Sequence, residues 1–177
     1  MLSQAREQFC LIGGLAIQRW GEPRVTRDVD LTLLCPFGHE AAAADLLLSE
    51  FTPRIADARE FAFRSRVLLL WAGDGIGIDV ALGSLPFEAR CVQRASDWEI
   101  APGVVLRTCS AEDLVVLKAF AGRPRDWIDL EAVLLRQRAT LDWTQVFGEL
   151  EPLIGLAEAP EKLDKLKALW CSVGQGD

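Results

Sequence analysis

The 177-residue sequence contains no tyrosine and a single histidine, His39, and none of its five cysteines forms a CxxC pair. One histidine gives no basis for a histidine zinc site or for a serine–histidine or cysteine–histidine pair, and we expect His39 to be exposed. The cysteine spacing argues against a disulfide framework and indicates reduced, mostly buried thiols in a cytoplasmic protein. Without tyrosine, the chain cannot modify itself on a tyrosine hydroxyl.

The sequence also lacks a strongly basic tract and any apolar run of the about 18 residues that a membrane span requires. Its net charge of −7 gives no bulk electrostatic indication of nucleic-acid binding. The opening MLSQAREQF has none of the regions of a signal peptide, so we expect a cytoplasmic protein without membrane association. Half of the residues are apolar and a quarter are charged, which predicts a folded core.

The apolar patterns predict an α/β fold. Strand character marks residues 9–12, 29–34, 61–72, 76–82 and 104–107, with an Asp-Gly hairpin turn at 73–75. Helical character marks residues 15–20, 39–51, 110–121, 126–138 and 161–171, and Pro152 and Pro160 bound a linker-like stretch. The expected architecture is a small mixed sheet flanked by helices over residues 1–109, followed by a helical C-terminal part over residues 110–177.

Two aspartates, Asp28 and Asp30, stand one residue apart at the head of the strand-like run 29–34. Side chains alternate along a strand, so both carboxylates should share one face. Aspartate is depleted in strands, and neighbouring carboxylates repel each other, so folding alone does not account for the pair. Mg²⁺ does account for it, because this ion takes oxygen ligands, including one or two protein carboxylates.

Further residues extend this interpretation. Asp79 shares its predicted strand face with Gly77 and Ala81, which leaves the carboxylate clear of bulky neighbours. Three converging carboxylates require a cation, and two Mg²⁺ ions roughly 4 Å apart are the common solution for displacement at phosphorus. Upstream, Gly13 and Gly14 would let the backbone approach a phosphate closely. The sequence therefore predicts a two-metal phosphate site.

With h for a hydrophobic residue, the pattern hhGGhAh…RxTxDhDhhh and a later hDhhh strand resemble the polymerase-β-type nucleotidyltransferase superfamily. The continuation LVVLKAFAGRPRDWIDLEAVL is similar to the AbiEii-type nucleotidyltransferase toxins and their small relatives. The resemblance covers roughly residues 9–135. It implies an Mg²⁺-dependent enzyme that moves a nucleoside monophosphate from an NTP to a hydroxyl of RNA or protein. It also implies the toxin-like component of a bacterial toxin–antitoxin system, with a cognate antitoxin as partner.

The resemblance also implies roles for individual residues. The two glycines would contact the nucleotide phosphates, and Asp28 and Asp30 would hold the metals. Asp79 would be the third carboxylate, which activates the acceptor hydroxyl. Lys118 would reach the triphosphate, and Asp126 would match the acidic residue of the last motif.

Two departures from the family pattern leave alternatives open. Many superfamily members carry serine at the position of Gly14, and the toxins are usually much longer than this chain. These departures leave the acceptor open and allow a non-catalytic binding module that acts through a partner protein. Asp28 to Thr32 also fits DxDxT, the signature of haloacid-dehalogenase-like phosphatases, although there the aspartate follows its strand rather than preceding the apolar run.

Several charged residues have an ordinary structural interpretation as well. Arg24, Thr26 and Arg27 precede the carboxylates and either bind phosphate or form a solvated loop. Lys118 lies in an otherwise apolar helix, from which a lysine normally extends to the surface. For Asp129, the role of an acid in the first turn of a helix is sufficient.

Overall fold

The computed structural model describes residues 7–73 and 75–174, so Asp74 of the expected hairpin turn lies outside the described residues. The chain forms two compact units. Within the described ranges, one unit, here the sheet unit, contains residues 7–15, 25–73 and 75–109, and the other, here the helical unit, contains residues 16–24 and 110–174. Residues 16–24, which the sequence interpretation assigned to the α/β core, thus group with the C-terminal helices.

The sheet unit is built on a seven-stranded mixed sheet in its described part, which confirms the predicted α/β fold. The strands are β1 (Phe9–Leu11), β2 (Asp28–Leu34), β3 (Thr52–Pro53), β4 (Val67–Ala72), β5 (Ile76–Gly83), β6 (Ser96–Ala101) and β7 (Val104–Thr108). Their order is β3-β4-β5-β2-β1-β7-β6. The β2–β5 and β1–β7 pairs are parallel and the remaining pairs are antiparallel.

Alternation along the central strands builds the core of the sheet unit. The buried side chains of one face include Leu31, Leu33, Leu68, Leu70, Ile78, Val80 and Leu82. Helices α2 (Glu40–Leu48), α3 (Ala58–Ser65) and α4 (Pro86–Arg94) belong to the same unit, and α1 (Gly13–Trp20) begins in it. The other face of β2 and β5 is therefore left for polar side chains.

Residues 61–72 were expected to form one strand, and this expectation is wrong for their first half. Helix α3 runs to Ser65, and β4 begins only at Val67. Arg66, between them, adopts a left-handed conformation with φ of 55°, which ends the helix and turns the chain into the strand. Helix α4 and strand β6 were also missed by the sequence interpretation.

The helical unit contains α5 (Ala111–Ala121), α6 (Pro124–Gln137), α7 (Trp143–Ala157) and α8 (Pro160–Gly174). Helix α5 is capped at both ends, since the Ser110 hydroxyl accepts a hydrogen bond from the N–H of Asp113 and Gly122 adopts a left-handed conformation with φ of 66°. The expected linker is wrong, because Pro152 lies within α7. Leu150, Leu153 and Ile154 on either side of that position are buried, and burial of apolar side chains stabilises the helix although proline cannot donate a helical hydrogen bond.

None of the helices in the described ranges is both long enough and apolar enough to cross a membrane.

Candidate active site

The three predicted metal-binding aspartates meet on one face of the sheet. In the parallel β2–β5 pair, Asp30 lies directly opposite Asp79, and Asp28 lies opposite Gly77. Residues in register on neighbouring strands point to the same side, so all three carboxylates share a face. Asp28 is exposed, and the other two are partly buried. This carboxylate face is the candidate active site of the sheet unit.

The glycine pair packs the start of α1 against this face. Gly13 has φ of 56°, and a Cβ at this position would lie 2.7 Å from the Cβ of Asp30. The N–H of Gly14 donates to Oδ2 of Asp30 at 3.4 Å, and a Cβ here would lie 2.8 Å from the Cβ of Thr26. Both positions are therefore restricted to glycine by the carboxylate and by the loop that precedes it. The N-terminal end of a helix also favours negative charge.

We expect Gly13→Ala to destabilise the protein by about 1–3 kcal/mol, because it combines a strained φ with a clash against Asp30. Thermal unfolding and nucleotide transfer should both be measured. Gly103→Ala is the matched control, since Gly103 also has a positive φ, of 75°, but has open space where its Cβ would stand. Equal destabilisation in the two variants would contradict a specific contact between Gly13 and the carboxylate face.

A cation that the sequence interpretation missed lies among the carboxylates. Nη2 of Arg54 is 2.8 Å from Oδ1 of Asp79. Its Nη1 lies over Gly77, 2.7 Å from the position that a Cβ would take. The carboxylate of Asp28 also lies against that position. The guanidinium carbon is also 5.5 Å from the centre of the Trp71 ring. Arg54 thus spans the face from Trp71 to Asp79.

Strand pairing explains how Arg54 reaches this place. Arg54 directly follows β3, and its N–H donates to the carbonyl of Leu69 at 2.9 Å. Leu69 in turn lies opposite Asp79 in the β4–β5 pair. Arg54, Leu69, Asp79 and Asp30 therefore form one row across four neighbouring chain segments. This row depends on the pairing of a two-residue strand, for which the sequence carries no local signal.

The environment of Asp79 is less polar than that of an exposed carboxylate. Burial raises the pKa of its carboxyl group, the Asp30 and Asp28 charges act in the same direction, and the Arg54 charge opposes them. Oδ1 of Asp79 is buried, and its contact with Arg54 is an ion pair whose alignment falls short of a hydrogen bond. One buried oxygen on this face is thus incompletely satisfied.

The donor set fits a hard divalent cation, because it consists of carboxylate oxygens and includes the incompletely satisfied oxygen of Asp79. Among residues 7–73 and 75–174, however, no group of three or more His, Cys, Asp or Glu side chains is drawn together closely enough to hold a metal ion. The carboxylates share a face, and the positive group among them is the Arg54 guanidinium.

A second charged cluster lies inside the helical unit. Nζ of Lys118 donates to Oδ1 of Asp126 at 2.9 Å and to Oδ2 of Asp129 at 2.8 Å. All three residues are at least 93% buried. Asp126 also accepts hydrogen bonds from the backbone N–H of Arg123, at 3.1 Å, and from its Nε, at 2.7 Å. Two of the ordinary structural interpretations are therefore wrong: Lys118 does not extend to the surface, and Asp129 is a buried ion-pair partner that lies beyond the first turn of α6.

Arg24 completes this cluster. Its Nε and Nη2 donate to the two oxygens of Asp129, each at 2.9 Å, and its carbonyl accepts from the side chain of Gln18 at 2.8 Å. Arg24 is thus held in a bidentate ion pair, not in a solvated loop. Arg27, by contrast, is exposed and forms no ion pair with any residue in the described ranges. Of the two arginines before the carboxylates, Arg27 is the one with a guanidinium open to a phosphate.

The cluster shifts the titration of its acids. Burial alone would raise the pKa of Asp126, but hydrogen bonds from Arg123 and Lys118 bring it below its usual value. In the same way, hydrogen bonds from Arg24 and Lys118 outweigh burial and lower the pKa of Asp129. Both carboxylates are therefore held ionised. The predicted contact of Lys118 with a triphosphate stays a prediction, as does a catalytic role for Asp126.

A cleft of about 640 Å³ lies elsewhere in the sheet unit. Its lining includes Gln8, Leu34, Gln93 and Arg107, and none of its lining residues belongs to the predicted site. Leu34 ends β2, whereas Asp28 begins it, so the cleft and the carboxylates lie at opposite ends of this strand. The candidate active site is therefore assigned from its carboxylates and not from the cleft, since the lining of the cleft contains no cluster of acids.

A mixed sheet with three aspartates on one face, and a glycine-opened helix against one of them, is the arrangement expected of a nucleotidyltransferase core. The family model described as the nucleotidyl transferase AbiEii toxin of type IV toxin–antitoxin systems matches residues 1–151. The chain therefore belongs to the AbiEii family of nucleotidyltransferases.

Solved structures of nucleotidyltransferases are similar to the chain at low sequence identity. An antigenic nucleotidyltransferase-like protein from Paracoccidioides brasiliensis matches 94% of this chain and 87% of its own, with 15% identity and a TM-score of 0.49. The antibiotic-resistance factor ANT(2″)-Ia in complex with adenylyl-2″-tobramycin matches 97% of this chain and 90% of its own, with 16% identity and a TM-score of 0.45. No curated protein matches the sequence.

Proposed function

We propose that this nucleotidyltransferase moves a nucleoside monophosphate from an NTP to a hydroxyl acceptor with the help of Mg²⁺. The observation that carries the proposal is the register of β2 and β5, which aligns Asp30 with Asp79 and sets Asp28 on the same face. Membership of the AbiEii family supports the reaction class, and the carboxylate donor set supports the choice of metal. The DxDxT phosphatase alternative loses support, because β2 begins at Asp28 instead of ending there.

In this proposal each residue has a distinct task. Asp28 and Asp30 would hold the metal, and Asp79 would complete the site and activate the acceptor hydroxyl. The N–H groups at the start of α1 and the exposed guanidinium of Arg27 would receive the triphosphate. Bound divalent ions would neutralise phosphate charge and align the attacking and leaving oxygens.

The acceptor we propose is an RNA 3′ end, with a protein hydroxyl as the second candidate. The family description supports a role as the toxin of a toxin–antitoxin pair, and we therefore propose a cognate antitoxin as partner. Since the chain contains no tyrosine, any nucleotide found on tyrosine would have to be on another protein.

Transfer can be tested with each of the four NTPs, labelled in parallel at the α and at the γ phosphate. The protein is incubated with Mg²⁺ and with separated total RNA and total protein, and EDTA provides the metal-free control. We expect α-label alone to enter the RNA and to be lost with EDTA. Label in the protein fraction alone would overturn the RNA acceptor. Transfer of γ-label, or no transfer from any NTP, would contradict the proposed reaction.

A further inference from the structure

The feature that the proposed reaction leaves unused is the guanidinium of Arg54, which lies among the carboxylates that would hold the metal. We propose that Arg54 is an internal counter-ion of the carboxylate face and that a divalent cation must displace it to bind. This inference rests on the proposed function, because it concerns the same metal site. It assigns to Arg54 a positioning and gating role that acts through Asp79.

The guanidinium lies beside two of the carboxylates that would hold the cation, Asp79 and Asp28. Nη2 is 2.8 Å from Oδ1 of Asp79, and Nη1 shares the space over Gly77 with the carboxylate of Asp28. A Mg²⁺ ion bound to Oδ1 of Asp79 would lie about 2.1 Å from that oxygen. The ion and the guanidinium would then compete for one oxygen while repelling each other.

Gly77 is the residue that makes this arrangement possible. It is buried, and any side chain at this position would collide with the Arg54 guanidinium and with the carboxylate of Asp28. The small residues on this strand face therefore leave room for the arginine that follows β3, and they keep Asp79 accessible. The same space would open to a cation once Arg54 moved away.

Trp71 gives the displaced guanidinium a second contact. Its ring lies 5.5 Å from the guanidinium carbon and is 42% exposed. Trp71 is opposite Gly77, which is opposite Asp28, so the indole is on the carboxylate face. A cation–π contact of this kind retains part of the favourable interaction after the ion pair with Asp79 is broken. Arg54 can thus move aside without leaving the site.

The test is the affinity for Mn²⁺ alone, measured by electron paramagnetic resonance at 0.15 M salt on the parent, Arg54→Gln and Arg64→Gln. Arg64 is the matched control, because it is an exposed arginine of the same unit that pairs with Asp57. We expect Arg54→Gln to bind Mn²⁺ at least about fivefold more tightly than Arg64→Gln, the lower end of typical coupling between competing ligands. A purely structural role for Arg54 predicts the opposite, since a loosened site binds metal less well.

The gain should act through Asp79, so it should disappear in Arg54→Gln/Asp79→Asn, and a gain that persists there would overturn the inference. Equal or weaker binding by Arg54→Gln would also overturn it, while leaving the proposed function intact if the parent binds Mn²⁺. If neither the parent nor any variant binds Mn²⁺, with or without NTP, the proposed function falls together with the inference. If Arg54→Gln does not fold, Mn²⁺ affinity is measured on Arg54→Lys instead, and it too should exceed that of Arg64→Gln. A lysine cannot lie over Gly77 and contact Asp79 with one planar group, so it should compete less well with the cation.

Discussion

Asp28→Asn and Asp30→Asn should each abolish nucleotide transfer, with a rate at least about 10²-fold below that of the parent, the loss typical for a group that stabilises transition-state charge. Each change removes one negative charge from a face on which three carboxylates lie. The amide is nearly the same size, so the fold should be kept. Relief of the repulsion between carboxylates should leave stability unchanged or slightly higher.

The measurement combines transfer rates with calorimetric titration of Mg²⁺ and NTP into each variant. Asp57→Asn is the matched control, since Asp57 is an exposed aspartate of the sheet unit that pairs with Arg64. The control should bind and transfer like the parent. If both site variants bind metal and nucleotide as the parent does, the assignment of Asp28 and Asp30 to the metal is wrong.

The position of these aspartates could be predicted from the sequence because it depends on local rules. Side-chain alternation puts Asp28 and Asp30 on one face, and the small neighbours of Asp79 mark its own face as open. That the two faces coincide requires one further fact, the parallel pairing of β2 with β5. The sequence interpretation assumed that the carboxylates converge, whereas the strand pairing that brings them together is seen only in the structure.

Arg54 shows where such prediction ends. It occurs in a sequence, Phe51 to Ile55, that has no motif, and its neighbours form a strand of only two residues. Its place beside Asp79 follows from the pairing of β3 with β4 and of β4 with β5, which are contacts between segments distant in sequence. Sequence patterns within one segment therefore cannot predict that Arg54 lies in the same row of the sheet as Asp79.

The charged cluster of the helical unit was missed for a related reason. Lys118 and Asp126 were predicted as site residues, with ordinary surface and helix-end roles as the alternative, and Asp129 was interpreted only as an acid of the first helical turn. Arg24, about a hundred residues away in sequence, packs with them because residues 16–24 belong to the helical unit. The cluster therefore includes a partner, Arg24, from a segment that sequence patterns assigned to the other part of the chain.

Lys118→Met should cost about 3–5 kcal/mol of folding stability, the usual penalty for breaking a buried ion pair by removing one partner. Methionine fills a similar volume, so the loss would come from Asp126 and Asp129, which would lose their hydrogen bonds to the ammonium group. Lys167→Met provides the control, because Lys167 is exposed. A surface position would change stability by no more than about 0.5 kcal/mol.

The dependence on pH provides a second test of the same cluster. Both aspartates have a lowered pKa in the folded protein, so they stabilise it at pH values above their unfolded pKa of about 3.9. This stabilisation is lost as the pH falls through the folded values. The difference in unfolding free energy between the parent and Lys118→Met should therefore have its full value at pH 7, where both carboxylates are ionised. It should decrease below about pH 4 as they become protonated.

Urea unfolding at pH 7 and at pH 3 measures this difference, and NTP affinity at pH 7 separates the two roles of Lys118. A folded variant with lower affinity would support the predicted contact with the triphosphate. Unchanged affinity together with a large loss of stability would assign Lys118 to the helical unit alone. If Lys118→Met loses no more stability than Lys167→Met at either pH, the buried cluster itself is contradicted. Removal of a buried ammonium group leaves two buried carboxylates without that partner, and this must cost more than a change at the surface.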